Sequence, residues 1–288
     1  MNNPLIIKSP QKLQNLVSSY KKKNKKIGFV PTMGALHKGH LSLIKKARKE
    51  TDIVVVSIFV NPTQFGPNED FKSYPRTFKE DIKLCKEYNV DIIFYPSVNT
   101  LYPDNYLTYV SVEKLSNFLC GKFRPGHFKG VATIVAKLFN IVSPDIAYFG
   151  LKDYQQYIII KKMVRDLNFN IKIKGCPTIR EKDGLALSSR NKYLSPEERK
   201  EATLLSKSLF TIKKLIQEKK IKSVDKVKNK ILDILLSGNI IQKKDIDYIE
   251  IVDAESLEEK KDLKGKFVIA LAVRIGKARL IDNIIIKN

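Results

Sequence analysis

Cysteine is scarce in this chain, with only Cys85, Cys120 and Cys176 among its 288 residues. Three widely spaced cysteines exclude a disulfide framework and a C-x-x-C metal pair. Such scarcity is typical of a protein from a reducing compartment. We therefore expect a cytoplasmic protein without structural zinc.

Long hydrophobic runs are missing as well. The longest apolar stretches, Ile53–Val60 and Phe267–Val273, are far too short to span a bilayer. The first residues, Met1-Asn2-Asn3-Pro4, contain no charged region followed by an apolar segment, so we expect no secretory signal. The hydrophobic fraction of 43% nevertheless suffices for a sizeable core, and we expect neither a membrane partner nor a disordered chain.

Arginine is rare although the chain is strongly basic. The formal net charge is +23, but only nine of the 53 basic residues are arginine. Proteins that read bases and phosphates favour the bidentate guanidinium group, whereas the lysines here are scattered along the sequence. The one dense run, Lys21–Lys26, is typical of a solvated loop before a strand. These features argue against nucleic acid as a partner, while the positive field would still favour a small anionic substrate.

Short apolar runs alternate with helical patterns through the first two thirds of the chain. The runs predict buried strands at Ile27–Val30, Ile53–Val60, Asp91–Tyr95, Ile146–Phe149 and Asn170–Lys174. The helices predicted among them begin near Ser9-Pro10, Leu41, Arg76, Gly130 and Tyr154. This alternation predicts an α/β fold with a doubly wound, Rossmann-like parallel sheet, in which ligands bind at the carboxyl ends of the strands.

The character of the sequence changes after Pro177. Ser195 and Glu198 have the spacing of a capping box that opens a lysine-rich helix to about Glu218, and a second helix covers roughly Val224–Leu236. Three strands close the chain, at Asp247–Val252, Phe267–Val273 and Arg279–Ile286. The pattern predicts a first domain of residues 1–178 and a smaller α+β domain of residues 179–288.

Two of the three histidines lie in one short segment, His37-Lys38-Gly39-His40, at the start of a predicted helix. A helix N-terminus offers N–H groups and a partial positive charge, so imidazoles there are suited to hold phosphates and to offset charge as pyrophosphate leaves. Gly34 and Gly39 let the backbone approach a ligand closely. Zinc would require further ligands that the segment lacks. A capping or packing role without chemistry stays an alternative.

The common phosphate-binding motifs are missing. Neither G-x-x-x-x-G-K-[ST] nor G-x-G-x-x-G occurs, and Gly121–Gly126 has only the glycine spacing of the first motif. The G-x-S-x-G nucleophile elbow is also absent from the sequence. P-loop phosphoryl transfer and hydride transfer are therefore poorly supported.

Three polar loops contain further candidate residues. Asn61–Gly66 includes Gln64, whose amide suits a small hydroxy acid, and Gly150–Gln156 includes Lys152, which would reach a phosphate. Asp183–Asn191 places two hydroxyl groups beside an arginine, as in a phosphate clamp that a hinge would close. Each loop also has an ordinary interpretation: an Asn-Pro turn, a solvated lysine at a strand end, and a surface loop. The residues alone leave these alternatives open.

Taken together, the segments resemble those of the pantoate–β-alanine ligases, also called pantothenate synthetases. Pro31–His40 is similar to the ATP-binding H-x-G-H segment of that family. The resemblance runs from about residue 27 to residue 283 and is weakest in residues 197–245. The other similar segments are Val56–Gly66, Tyr74–Arg76, Arg124–Val131, Lys137–Asn140, Gly150–Gln156, Asp183–Asn191 and Ala278–Asn283.

The resemblance implies an ATP-dependent ligase that condenses (R)-pantoate with β-alanine. The pantoate carboxylate would attack the α-phosphorus of ATP to give pantoyl adenylate and pyrophosphate, and the amine of β-alanine would then displace AMP. Mg²⁺ would accompany the ATP phosphates, and the protein would be a homodimer. Residues 1–178 would bind nucleotide and pantoate, and residues 179–288 would form a lid that shields the adenylate from water.

The resemblance also implies the site residues. His40, His37 and Lys152 would be catalytic, and Gln64 and Gln156 would bind pantoate, with Gln64 also close to β-alanine. The ATP contacts would be Met33, Gly34, Ala35, Leu36, His37, Lys38, Gly39, His40, Gly150, Leu151, Lys152, Asp153, Ile179, Leu187, Ser188, Ser189 and Arg190. Leu151 departs from the family, which usually has a polar residue there, so we expect only its backbone to contact ATP.

Two other functions fit parts of the sequence. A nucleotidyltransferase that shares the H-x-G-H segment would keep AMP in its product, whereas the ligase releases AMP. A basic nucleic-acid-binding protein with an inactive nucleotide site would be retained on DNA or RNA, in a salt-dependent way, far above a similarly charged control.

Overall fold

The structure is a computed structural model that describes residues 3–67 and 69–288. Met1 and Asn2, on which the expectation about a secretory signal partly rests, lie outside the described residues. The chain divides into two compact units: residues 1–116, 124–151 and 156–177 form the first, and residues 117–123, 152–155 and 178–288 form the second. The domain boundary expected between residues 178 and 179 stays a prediction.

Helices and strands follow one another in the predicted order. The helices are α1 (Pro10–Lys22), α2 (Lys38–Glu50), α3 (Phe78–Glu87), α4 (Val98–Leu101), α5 (Cys120–Phe123), α6 (His127–Val142), α7 (Tyr154–Asp166), α8 (Pro196–Gln217) and α9 (Val224–Leu235). The strands are β1 (Leu5–Ile7), β2 (Ile27–Thr32), β3 (Ile53–Ile58), β4 (Ile92–Phe94), β5 (Ile146–Gly150), β6 (Lys172–Cys176), β7 (Ile246–Asp253), β8 (Lys266–Ile275) and β9 (Ala278–Lys287). The sequence pattern does not predict the short elements β1, α4 and α5.

Six strands of the first unit form one parallel sheet in the order β1-β4-β3-β2-β5-β6. β2 pairs with β3, where Ile27 lies opposite Ile53, and with β5, where Gly28 lies opposite Ile146. After β4 the chain returns to the middle of the sheet to form β5, so the strand order changes direction between β2 and β5. The predicted doubly wound parallel sheet is confirmed. Ligands of such sheets bind outside the carboxyl ends of the strands at this switch point.

Apolar side chains cover the sheet of the first unit. The residues of β3 are buried except for half-buried Ile53, as its unbroken run of apolar residues predicts. α2 directs Leu41, Ile44 and Ala47 into the core. All three cysteines are free and buried. Within residues 3–67 and 69–288, every helix is too short or too polar to cross a membrane.

The second unit packs helices against a three-stranded antiparallel sheet of order β7-β8-β9. Its long helix α8 begins with the predicted capping box, since Ser195 Oγ accepts the N–H of Glu198 and the Glu198 carboxylate accepts the N–H of Ser195. Leu209 of α8 and Ile231 of α9 belong to the same hydrophobic cluster as Leu271 of β8. The predicted smaller α+β region is therefore confirmed.

Candidate active site

The segment between β2 and α2 places two histidines at a helix N-terminus. His37 is the N-cap of α2, and its Nδ1 accepts the N–H of Gly39 at 3.1 Å. His40 Nδ1 in turn accepts the N–H of His37 at 3.3 Å, and the two ring centroids lie 4.1 Å apart. The histidines thus form a reciprocal capping box, so the capping interpretation that the sequence left open is correct for their local structure.

These capping bonds assign the tautomer of both imidazole rings. Because each Nδ1 accepts an N–H group, the ring hydrogen lies on Nε2. Capping therefore leaves His37 and His40 suited to donate from Nε2 to a phosphate oxygen, beside the partial positive charge of the helix.

Asp81 of α3 holds the loop before the histidines. Its carboxylate accepts the N–H groups of Ala35 at 3.0 Å and Leu36 at 2.8 Å. Ala35 has φ of 49°, a left-handed conformation that is rare for residues with a Cβ. Asp81 is only 1% exposed. Burial raises the pKa of its carboxyl, and the hydrogen bonds from Leu36 and Ala35 partly oppose this. The sequence analysis missed Asp81, which fixes part of the predicted ATP segment.

Gln64 lies in a 3₁₀ turn that follows β3. Its Nε2 donates to the sulfur of Met33 at 3.2 Å, and its Oε1 accepts from Asn61 Nδ2 at 3.1 Å. Asn61, which is 1% exposed, also donates to the carbonyl oxygen of Gly130 at 3.1 Å. The structure therefore brings Gln64 and Met33 into direct contact and holds the Gln64 amide in a defined orientation.

A charged network supports the backbone of Gln64. Arg124 binds both carboxylate oxygens of Glu69, with Nε–Oε1 and Nη2–Oε2 distances of 2.6 Å. His127 Nδ1 donates to the carbonyl oxygen of Gln64 at 2.7 Å, and its Nε2 accepts from Arg124 at 2.9 Å. Burial would raise the pKa of Glu69, but the hydrogen bond and charge of Arg124, together with the Gly66 backbone and His127, outweigh burial and lower this pKa to about 2. His127 is the first residue of α6.

Gly130 allows α6 to approach the Gln64 turn. A Cβ at this position would lie 2.3 Å from the carbonyl oxygen of Thr63 and 2.7 Å from the backbone nitrogen of Gln64. We expect Gly130→Ala to displace the turn, to lower the free energy of unfolding by about 1–3 kcal/mol, and to raise the KM for a substrate that contacts Gln64. Urea denaturation and steady-state kinetics measure the two effects.

Gly66→Ala is the matched control for Gly130→Ala in the same loop. Its Cβ would lie 3.7 Å from the side chain of Glu69, an ordinary van der Waals distance. We expect this variant to behave like the wild type. Equal stability and equal kinetics of the two variants would contradict the close approach of α6.

In the second unit, the predicted ATP contacts near residue 180 form a small hairpin. The N–H of Leu187 donates to the carbonyl oxygen of Ile179 at 3.0 Å. Ser188 then caps a 3₁₀ turn that begins with the buried Ser189, and its Oγ accepts the N–H of Arg190 at 3.3 Å. The structure therefore brings Ile179 beside Leu187 and Ser188 beside Arg190.

Lys152 and Ser188 line one small pocket of the second unit, together with Asn191 and Asp282. The side chain of Lys152 is 20% exposed, and its Nζ lies 4.0 Å from the carboxylate of Asp153. A cation and a hydroxyl group in one pocket are suited to bind phosphate oxygens. Phosphate binding by Lys152 stays a prediction.

The remaining predicted residues, Gly150, Leu151 and Gln156, belong to the first unit. Gly150 ends β5, and a Cβ on Gly175 would lie 2.7 Å from Leu151 Cδ2, so the Leu151 side chain packs against β6. Gln156 is half-buried in the first turn of α7 and belongs to neither the histidine cap nor the contact between Gln64 and Met33. Backbone-only contact of Leu151 with ATP stays a prediction.

The described residues contain no metal cage of their own. Across residues 3–67 and 69–288, no group of three or more His, Cys, Asp or Glu side chains is arranged to hold a metal ion. Mg²⁺ in nucleotide enzymes is commonly held by substrate phosphates with only one or two carboxylates.

A doubly wound parallel sheet with a capped helix N-terminus at its switch point is the architecture of α/β proteins that bind nucleotides. The family model for pantoate-beta-alanine ligase matches residues 5–285. The pantothenate synthetase of Sulfurihydrogenibium sp. (strain YO3AOP1) is 56% identical over 279 residues, which cover 97% of this chain and 99% of that protein. The chain belongs to the pantoate-beta-alanine ligase family.

Solved structures of similar proteins agree with this assignment. The pantothenate synthetase from Thermus thermophilus superposes with a TM-score of 0.91 at 43% identity, covering 97% of this chain and 98% of that chain. The pantoate-beta-alanine ligase from Francisella tularensis, solved in complex with beta-gamma ATP and beta-alanine, has a TM-score of 0.77 at 40% identity, covering 98% and 97%. The family resemblance of the sequence is therefore confirmed.

Proposed function

We propose that this protein is an ATP-dependent ligase that joins (R)-pantoate to β-alanine through a pantoyl adenylate. The observation that carries the proposal is membership of the ligase family over residues 5–285, nearly the whole chain. The histidine-capped helix at the switch point of the sheet supports it, because a helix N-terminus favours binding of phosphate groups. The products are pantothenate, AMP and pyrophosphate.

In the first half-reaction, the pantoate carboxylate attacks the α-phosphorus of ATP, and the bond from that phosphorus to the bridging oxygen of pyrophosphate breaks. Negative charge grows on the leaving pyrophosphate. His37 and His40 donate hydrogen bonds from Nε2 to phosphate oxygens, and the ammonium group of Lys152 neutralises further charge. These three residues stabilise the transition state without forming a covalent bond to the substrate.

In the second half-reaction, the amine of β-alanine attacks the carbonyl carbon of the adenylate, and AMP leaves with both electrons of the cleaved C–O bond. Gln64 and Gln156 hold pantoate through the donors and acceptors of their amides, and Gln64 also lies close to β-alanine. The Met33 contact and the backbone bonds of His127 support this role, because they fix both ends of Gln64.

The other nucleotide contacts follow the same proposal. They are Met33–His40, Gly150–Asp153, Ile179 and Leu187–Arg190. Mg²⁺ held by the ATP phosphates would supply further positive charge there. We also propose that the enzyme is a cytoplasmic homodimer that binds small molecules rather than nucleic acid.

The experiment that tests the function measures exchange of labelled pyrophosphate into ATP. With Mg²⁺, ATP and D-pantoate we expect exchange, and addition of β-alanine should then release AMP in equal amounts with pantothenate. Absence of pantoate-dependent exchange, in a protein that binds ATP, would overturn the assignment of the acid. AMP retained in the product would instead point to a nucleotidyltransferase.

A further inference from the structure

Two consecutive residues of the last strand, Asp282 and Asn283, are polar and almost completely buried. They are 2% and 8% exposed. Even-numbered residues of β9, such as Leu280 and Ile284, belong to the hydrophobic cluster of the second unit. Because side chains alternate along a strand, Asp282 points into that cluster and Asn283 points to the other face of the sheet. Burial of two such residues requires hydrogen-bonding partners on both faces.

Asp282 forms an ion pair with Arg180, which lies in the hairpin that leads to Ser188. Its two carboxylate oxygens accept from Nη1 of Arg180 at 2.6 Å and from Nη2 at 2.8 Å. Nη1 of Arg180 also donates to the carbonyl oxygen of Gly184 at 3.2 Å, across the turn of the hairpin. One bidentate ion pair therefore fixes the hairpin that carries Ile179, Leu187 and Ser188.

The side chain of Asn283 forms a hydrogen bond with the backbone of Lys152, the candidate for phosphate binding. Its Nδ2 donates to the carbonyl oxygen of Lys152 at 2.7 Å. The bond fixes the backbone from which the lysine side chain extends, while leaving the ammonium group to other contacts. Lys152, Ser188 and Asp282 all line the same pocket, so the two bonds hold adjoining parts of one pocket wall.

We propose that Asp282 and Asn283 are positioning residues for the ATP phosphates, with Asn283 setting the place of Lys152 and Asp282 setting that of the Ser188 segment. This inference rests on the proposed function, since it takes Lys152 and Ser188 as nucleotide contacts. In this proposal neither residue contacts the nucleotide, since the Asp282 carboxylate is engaged by Arg180 and the Asn283 amide by the Lys152 carbonyl. Each residue holds one segment in place. Replacing either residue is therefore expected to weaken phosphate binding without abolishing adenylate formation.

Asn283→Ala tests the proposal in the full-length protein. We expect the Kd for ATP, measured by titration calorimetry, and the KM for ATP to rise about 10-fold. The KM values for pantoate and β-alanine should change less than about 2-fold, because the Gln64 turn belongs to the first unit. A general loss of structure would instead alter all three KM values and lower the melting temperature.

Asn288→Ala is the matched control for Asn283→Ala. Asn288 Nδ2 donates to the carbonyl oxygen of Leu263 at 2.8 Å, which is the same kind of bond outside the pocket. Wild-type ATP affinity in Asn288→Ala together with weakened affinity in Asn283→Ala supports the proposal. Equal ATP affinities in the two variants, or equal increases in all three KM values of Asn283→Ala, overturn it.

Arg180→Lys decides the question if Asn283→Ala does not fold. It keeps the positive charge that faces Asp282 but loses the bidentate fork, so the KM for ATP should again rise selectively. An unchanged KM for ATP in folded Arg180→Lys overturns the proposal.

Failure of the proposed function gives a different result, in which wild-type protein binds ATP but shows no pantoate-dependent exchange. The ATP affinities of the variants then still decide the positioning role.

Discussion

Replacement of His40 by alanine is expected to lower the rate of adenylate formation roughly 10²- to 10³-fold, the cost of losing one charge-stabilising donor. In the proposed mechanism the side chain supplies an Nε2–H donor where pyrophosphate charge develops. Its Nδ1 caps the backbone of His37. Pantoate-dependent exchange of pyrophosphate into ATP measures the loss, and circular dichroism shows whether the protein stays folded. A folded His40→Ala protein with near-normal exchange would contradict the assignment.

His40→Asn separates the capping role from the chemical role. The Asn amide oxygen is an acceptor suited to helix caps, so it is expected to restore the bond to the N–H of His37. It offers no donor at the position of Nε2. We therefore expect wild-type stability but activity as low as that of His40→Ala. Ser42→Ala, which removes only a bond to the Gly39 carbonyl in the same helix, should keep nearly full activity.

Replacement of Asp81 by alanine is expected to cause the largest loss of stability among these variants. The carboxylate accepts two buried N–H groups, of Ala35 and Leu36, and each group left without an acceptor costs about 1–3 kcal/mol. We therefore expect a decrease of about 2–6 kcal/mol in the free energy of unfolding. The KM for ATP should rise as well, because the loop is part of the predicted nucleotide site. Urea denaturation and initial-rate kinetics measure the two effects.

Asp81→Asn and Glu80→Gln are the controls for Asp81→Ala. The amide of asparagine keeps one acceptor oxygen for the loop, so its stability should be intermediate. Glu80 is an exposed neighbour on the same helix, and its replacement should change stability by less than about 0.5 kcal/mol. Equal stability of Asp81→Ala and Glu80→Gln would show that the loop does not depend on the carboxylate.

The elements of the fold are predictable where their signals are local. Ser9-Pro10 and the Ser195–Glu198 box mark the starts of α1 and α8, and in both cases the serine hydroxyl accepts the expected backbone N–H. The apolar run at 53–60 predicts β3 for the same reason, since its burial on both faces is visible in composition. The three-residue strand β1 is too short to show such a pattern.

The hydrogen bonds and ion pairs that hold the candidate site in place are not predictable from local signals, because the two residues of each pair are far apart in the sequence. Asp81 is 46 residues from Ala35, and Arg124 is 55 residues from Glu69. Arg180 and Asp282 are separated by 102 residues. An isolated acidic or basic residue on a helix or strand usually indicates a solvated surface. Only the packing of the chain reveals that these charges are paired and at least partly buried.

The bond between Asn283 and Lys152 has a consequence for how the protein is made. The two residues are 131 positions apart, and Asn283 lies in the last strand. At translation rates of 5–20 residues per second, the ribosome adds Asn283 roughly 7–26 s after Lys152. The parallel sheet, whose last strand ends at Cys176, is fully synthesised well before then. A nascent chain therefore has its Rossmann-like sheet available for folding while the carbonyl group of Lys152 still lacks its hydrogen bond from Asn283.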